Sequence, residues 1–347
     1  MTSALVIGKF WPPHRGHEAM IQHAHEIADM VYVMVCSTPT ARPSGDQRSL
    51  WIQSMFPRSE VILVDDFCDW HFPVMCPPEC TPKWAKRTRE VINSHIDFFV
   101  ASEEYGLRFS RALGAEYFEF DFERQKFPVS GSEVRADIAG NWDRLPNMVR
   151  AGLIRRISVM GAESTGTTTL ANDLAIALGT LCVPEVGRTV SWELMAREGS
   201  MEDVTWDAQV FWRILNTHAS LEEQARIRRS LDAFGPMGAW IVSDTDALAT
   251  VTWWRRYLGH PPDDVIHFAR ERLADAYIIT SPEDVPFDQD GLRDGEHLRD
   301  QMHAEFLGSA IDAGRATLVV QGSRSDRVGQ ALDFLADVSR DFPLFQR

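Results

Sequence analysis

The chain has 347 residues, 44% hydrophobic and 24% charged, which suits two packed cores of about 150 to 200 residues each. It carries 35 basic against 50 acidic side chains, and a net charge of −15 argues against a general surface for nucleic acid or anionic membrane, so any phosphate site must be local. No apolar run approaches the roughly 18 residues of a membrane span, MTSALVIGKF lacks the pattern of a signal peptide, and five cysteines, an odd number, fit reduced thiols, so a cytoplasmic protein is expected.

In chain order, short β-rich runs alternate with amphipathic segments. SALVIG at 3–8 precedes 17–29, VYVMVC at 31–36 precedes 47–56, and VILVD at 61–65 precedes 84–94. DFFVAS at 97–102 then precedes 104–113, and AEYFEF at 115–120 precedes 132–140. Such alternation predicts parallel strands joined by crossover helices, an α/β fold. After GNWDRLPNMVRAGL the pattern restarts with RISVM at 156–160, followed by AWIVSD, AYIIT and ATLVVQ with long helical stretches between. A boundary near residue 152 follows, with domains over 1–152 and 153–347. No repeat or low-complexity tract is present, and 65–83 and 281–294 are long enough to be functional loops.

Residues just past a first parallel strand face the crevice where ligands bind. GKFWPPHRGH occupies that place at 8–17. Gly8 lets the backbone approach a phosphate, and Pro12 and Pro13 stiffen the turn. His14 and His17 then reach from a loop and a helix start toward one anion, to which the helix N-terminus adds its own N–H groups. A lone histidine there is more often a cap or a surface residue. With Gly8, Lys9 and Phe10 at this spacing, a phosphate site is the stronger reading.

GKFWPPHRGH resembles the H-x-G-H signature of nucleotidyltransferases, and VSGSEVR at 129–135 resembles their second signature. With ASEEYG at 101–106 and a P-loop pattern following, nearly the whole chain resembles the NadR-type bifunctional family, nicotinamide mononucleotide adenylyltransferase joined to ribosylnicotinamide kinase. The resemblance implies a Rossmann-like nucleotidyltransferase domain followed by a P-loop kinase-like parallel-sheet domain. Its small-molecule partners would be ATP as co-substrate, nicotinamide mononucleotide, nicotinamide riboside and NAD. By the family pattern His14 and His17 contact the α and β phosphates, Lys9 and Arg135 neutralise the departing pyrophosphate, and Ser130 and Ser132 donate from a later helix start. Gly8 and Phe10 belong to the same binding motif, and Mg2+ would bridge the phosphates. The flat cationic nicotinamide ring asks for an aromatic face, for which Trp84 is the candidate; core packing is its rival in a chain of 11 tryptophans. Some family members carry an N-terminal helix-turn-helix domain. This sequence starts at its first strand and has no basic stripe, so neither a nucleic-acid nor a membrane partner is expected, while a homo-oligomer is compatible with it.

The second half opens with RISVMGAESTGTTTLANDLAIAL, a strand, a loop and a helix in P-loop order, with Gly161 and Gly166 at P-loop spacing and Glu163 and Ser164 inside the loop. Thr168 stands where the magnesium-binding hydroxyl belongs, followed by Thr169, but Thr167 stands where the lysine belongs. The backbone nest and helix dipole survive without that side chain. AWIVSDTD ends on Asp244, where such folds place a carboxylate near the metal, with Asp246 close by. Glu185 and Arg188 resemble the family's Glu and Arg, Glu185 as general base; a solvated loop carboxylate is the plainer alternative. In FDQDGLRDGEHLRDQM, Arg293 and Arg299 would supply cations from a lid, although Arg299 also suits surface ion pairs with Glu296 or His303. The missing lysine leaves a second reading open, a catalytically inactive nucleotide-sensing module.

FCDWHFPVMCPPEC places Cys68, His71, Cys76 and Cys80 within thirteen residues. Four such ligands would suit tetrahedral Zn2+. The spacing C-x2-H-x4-C-x3-C matches no standard finger, and cysteine also packs as a small hydrophobe.

Overall fold

The β-branched runs become two sheets of five strands each, every pairing parallel. The computed structural model describes residues 1–65, 78–200, 203–235, 238–283, 285–289, 295–341 and 343–346. The chain divides into two compact units, Met1–Gly152 together with Pro343–Arg347, and Leu153–Phe342. The expected second domain ran to 347, whereas Pro343–Arg347 groups with the first unit.

In the first unit β1 (Ser3–Gly8), α1 (Arg15–Ile27), β2 (Met30–Ser37), α2 (Gly45–Met55) and β3 (Glu60–Asp65) wind outward on one side. The chain then crosses through α3 (Thr81–Val91) to β4 (Phe98–Ala101), α4 (Gly106–Leu113) and β5 (Glu116–Glu119), giving the order β3-β2-β1-β4-β5. β1 is central and carries apolar residues toward both faces, as a parallel strand covered on both sides requires. Ala4 and Val6 pack under α1 with Met20, Ile21 and Ala24, while Leu5 joins Trp84, Phe99 and Phe109 on the other face. The order reverses between β1 and β4, so a crevice opens beyond their carboxyl ends. The segment expected to be helical over 132–140 is shorter, α5 (Gly131–Ala136), and 140–153, for which no element was expected, contains α6 (Asn147–Leu153).

The second unit runs β6 (Arg155–Met160), α7 (Thr167–Leu178), β7 (Cys182–Val183), α8 (Val186–Glu198), α9 (Ala208–Arg229), β8 (Trp240–Asp244) and α10 (Ala247–Leu258). It continues with α11 (Asp263–Arg270), β9 (Ala276–Thr280), α12 (Arg299–Asp312), β10 (Ala316–Val320) and α13 (Arg324–Asp341). The order β10-β9-β6-β8-β7 puts β6 at the switch point, with the turn from β6 into α7 at its mouth. One face is apolar, with Ile157, Val159, Trp240, Val242 and Ile278 against α7 and α13.

Candidate functional site

The crevice of the first unit is a cleft of about 610 Å³ lined by both sequence motifs. His14 is the N-cap of α1 and His17 sits one turn inside it, so the His14 backbone N–H donates to Nδ1 of His17 at 3.3 Å. That bond leaves the His17 proton on Nε2. The two rings stack at 3.7 Å, and Phe10, itself buried, meets His17 edge-on at 4.9 Å. Burial lowers the His14 pKa to about 3, with Arg124 and Arg135 adding to the effect against Glu133. Burial, then His14 and Arg124, hold His17 well below its usual value. The pair therefore offers neutral N–H donors, and Nδ1 of His14 is buried without a hydrogen-bond partner.

Cations surround these rings. Arg135 donates from Nη1 to the Trp11 carbonyl at 2.5 Å and lies 4.4 Å over the Trp11 ring. Its Nη2 is 3.4 Å from Ser132 Oγ, and Ser130 caps α5 by accepting from the Glu133 N–H at 3.2 Å. Lys9 and Gly8 line the same cleft, and so does Trp84, which is also part of the core. Sequence reasoning missed two arginines here, one lining the cleft and one bracing its motif loop. Arg124 lines the cleft from the loop after β5, 3.3 Å from Glu103. Arg48 is 1% exposed and donates to the carbonyls of Lys9, Cys36 (3.4 Å) and Ser44 (3.1 Å) and to the Ser37 hydroxyl, tying the motif loop to the end of β2.

In the second unit, Gly161 follows β6 where a Cβ would lie 2.3 Å from Thr280 Oγ1. Only glycine allows β9 so close, and the Thr165 and Thr280 hydroxyls meet there at 2.6 Å. Ser164 at φ 61 and Gly166 at φ 84 adopt the left-handed conformation in which successive N–H groups converge into an anion nest. Thr167, Thr168 and Thr169 form the first turn of α7. Asp244 ends β8, 1% exposed; burial raises its pKa to about 6 against the Thr168 hydroxyl bond and the nearby Arg188. Its Oδ1 is buried without a hydrogen-bond partner. A carboxylate oxygen with spare coordination beside a hydroxyl and a phosphate nest suits a hard divalent cation such as Mg2+. Glu185 is the N-cap residue of α8, with Arg188 inside its first turn.

Other expected ligands are occupied with structural bonds. Glu163 accepts from the Gly295 N–H at 2.9 Å and lies 3.5 Å from Arg256, so it clamps the segment before α12. Ser164 Oγ accepts from the Asp288 N–H at 2.7 Å. Asp246, fully buried, caps α10 by accepting from the Ala249 N–H at 2.9 Å. Arg299 donates to the carbonyls of Val285 (2.7 Å) and Ser164 (2.8 Å), bracing the loop. Arg327 of α13, not anticipated, does the same below it, donating to the Thr165 carbonyl at 2.8 Å and that of Ser281 at 3.2 Å. Arg293, Cys68, His71 and Cys76 lie outside the described residues. Cys80, the fourth zinc candidate, precedes α3 and packs against the core, and no metal-holding cluster of three or more His, Cys, Asp or Glu occurs among the described residues.

A family profile described as an AAA domain matches residues 156–327. The trifunctional NAD biosynthesis/regulator protein NadR of Escherichia coli K12 is 23% identical over 331 residues, 90% of this chain and 73% of that protein. NadR of Salmonella typhimurium LT2 is 24% identical over 329 residues, 89% of this chain and 72% of its own. Among solved structures, a NadR protein in complex with NAD and AMP-PNP superposes with a TM-score of 0.64 at 19% identity, covering 98% of this chain and 96% of that one. Another, in complex with NR, gives 0.64 at 18% identity over 97% and 96%. This chain is homologous to the NadR proteins over 90% of its length and shares their fold.

Proposed function

We propose that the chain makes NAD in two ATP-dependent steps. The first unit transfers the adenylyl group of ATP to nicotinamide mononucleotide, and the second phosphorylates nicotinamide riboside to supply that mononucleotide. The NadR relatives are named for NAD biosynthesis, and the solved NadR structures hold NAD, AMP-PNP and NR.

The observation that carries the first reaction is the meeting of a stacked, neutral histidine pair with Arg135 and Lys9 in one cleft. In that reaction a phosphate oxygen of the mononucleotide attacks the α phosphorus, a new P–O bond forms, and the bond to the β phosphate breaks to release pyrophosphate. No protein nucleophile is required, so the side chains act by positioning and by stabilising charge. His17 donates from Nε2 to the α phosphate, His14 to its neighbour, and Arg135, Lys9 and Arg124 hold the β and γ phosphates both in bound ATP and as they leave as pyrophosphate. Ser130 and Ser132 orient the phosphates from the start of α5, and Trp84 offers the aromatic wall against which nicotinamide stacks.

For the second reaction the P-loop nest receives the phosphates of ATP, Thr168 and Asp244 would hold Mg2+, and Glu185 takes the proton of the riboside hydroxyl. Bound there, Mg2+ would neutralise charge on the β and γ phosphates. Arg299 and Arg327 keep the loop in its binding shape by fixing the carbonyls of Ser164 and Thr165.

His17→Ala separates the two units. It is expected to slow adenylyl transfer to the mononucleotide roughly a hundred- to a thousandfold, as loss of a preorganised donor at a developing charge does. Riboside phosphorylation, read as mononucleotide formed, should stay near wild type. Equal loss of both activities in a folded variant would refute the assignment of one reaction to each unit.

A further inference from the structure

The segment 343–346 belongs with the first unit although it follows α13 of the second. It is joined there by an antiparallel bridge. The Gln346 N–H donates to the Arg42 carbonyl at 3.0 Å, and the Arg42 N–H returns a bond of 2.5 Å to the Gln346 carbonyl. The Arg42 carbonyl is used twice, since it also accepts from the indole Nε1 of Trp11 at 2.7 Å. Trp11 in turn holds Arg135, through its own carbonyl and through its ring. This contact passes over Gly131, where a Cβ would come within 3.0 Å of the Trp11 carbonyl oxygen and 3.1 Å of Arg135 Nη1, so little slack remains.

Building on the reading of this cleft as a nucleotide site, we propose that segment 343–346 is a positioning element of that site: its backbone bridge to Arg42 holds Trp11 and thereby aims Arg135 at the bound triphosphate. The link follows from geometry. A half-buried indole N–H needs an acceptor, and the acceptor it has is a carbonyl whose own placement is fixed by two bonds to residue 346. Arg135 takes its direction from Trp11, so a shift of the Arg42 loop is passed to the guanidinium. Misplacing a charged donor by even a fraction of an ångström weakens its bond to phosphate, and the loss falls on nucleotide affinity.

The bridge uses main-chain groups only, which makes its test specific. Gln346→Pro removes the N–H that Arg42 accepts, whereas Gln346→Ala keeps it. In the full chain, Gln346→Pro should raise the KM for ATP in adenylyl transfer about tenfold, the worth of one charged hydrogen bond, with kcat much less affected. By NMR it should also speed solvent exchange of the Trp11 indole proton, assigned through Trp11→Phe. Gln346→Ala should match wild type in both. Unchanged KM and exchange in Gln346→Pro, or the same rise in Gln346→Ala, would overturn the proposal. So would a fall in kcat with a lowered Tm, since that is the mark of a purely stabilising segment. If wild type transfers no adenylyl group, the proposed function fails, and indole exchange alone then decides the positioning.

Discussion

Thr167 holds the place of a charge that P-loops ordinarily carry, and the surrounding arginines decide what replaces it. Arg299 gives its donors to the carbonyls of Ser164 and Val285, and Arg327 gives its own to Thr165 and Ser281. Both shape the loop. Arg188 is different, because it stands close enough to Asp244 to lower its pKa. On the proposed function a cation beside Asp244 is placed to meet phosphate oxygens, so Arg188→Ala should cut riboside phosphorylation about ten- to a hundredfold, the range expected for one charged hydrogen bond. Thr167→Lys should then recover part of that loss while altering the otherwise wild-type enzyme only modestly. Thr168→Ala should abolish phosphorylation through the metal. Initial rates of mononucleotide formation check all three, and a Thr167→Lys gain far larger than the Arg188→Ala loss would point to a domain disarmed by its missing lysine. In the first unit Gly131→Ala should raise the KM for ATP, because the new methyl would press on the Trp11 carbonyl and Arg135.

At the scale of elements, the second sheet is apolar on both faces, its second face packing Met160, Tyr277 and Ile279 with Ala249, Met302 and Phe306, but a buried polar cluster interrupts that second layer. Glu222 of α9, 4% exposed, accepts from Arg156 of β6 and from the Ser243 hydroxyl of β8 at 2.8 Å, with His218 3.7 Å away and Asp246 acting on it from the start of α10. Burial, with Asp246 adding to it and Arg156 opposing, raises the Glu222 pKa from 4.5 to about 7. The folded chain therefore holds a proton that the unfolded chain releases, and this contribution to stability, full below pH 4.5, is lost as pH rises through about 7. Burial, then Arg156, lowers His218 from 6.5 to about 4, so its contribution is full above pH 6.5 and lost as pH falls through about 4. The two slopes oppose each other between pH 4.5 and 6.5. Glu222→Gln, whose carbonyl oxygen can still accept from Arg156 while its amide donates to the Ser243 hydroxyl, should leave the His218 slope alone, so that Tm falls more steeply than in wild type as pH drops from 6.5 to 4.5. Parallel Tm curves would contradict this account of the buried pair.

This layer also shows where sequence reading stopped. The strands were legible because β-branched runs bounded by turns have few other uses, and the meeting of His14 and His17 in one cleft because residues just past a first parallel strand face the crevice. Glu222 was hidden because LEEQARIRR reads as solvated charge. A signal existed all the same, since Phe211, Leu215, His218, Glu222, Ala225 and Arg229 recur at helical spacing, and all are buried. Arg48 and Arg327 left no such trace. Apart from the Ser37 hydroxyl beside Arg48, the partners described for them are main-chain carbonyls, and a carbonyl's position is a property of the fold and not of the residue that bears it. Glu163, Asp246 and Arg299, read as ligands, also hold main-chain groups that the sequence does not show: the Gly295 N–H, the Ala249 N–H, and the carbonyls of Val285 and Ser164.

At the scale of the whole molecule, the chain is acidic, with a net charge of −15, and the proposed phosphate sites are local, at one strand-end mouth in each unit. On the reading proposed here the product of the second unit is the substrate of the first, and nicotinamide riboside is carried to NAD by one chain. The balance is fixed by the chemistry: one ATP gives its γ phosphoryl group and leaves as ADP, and a second gives its adenylyl group and leaves pyrophosphate. The direct measurement is to incubate the purified chain with ATP, Mg2+ and isotopically labelled nicotinamide riboside and to follow labelled NAD, ADP and pyrophosphate together. The account predicts labelled NAD, with ADP and pyrophosphate each formed once per NAD. NAD formed from added mononucleotide but none from riboside would contradict it and leave the second unit a nucleotide-binding module.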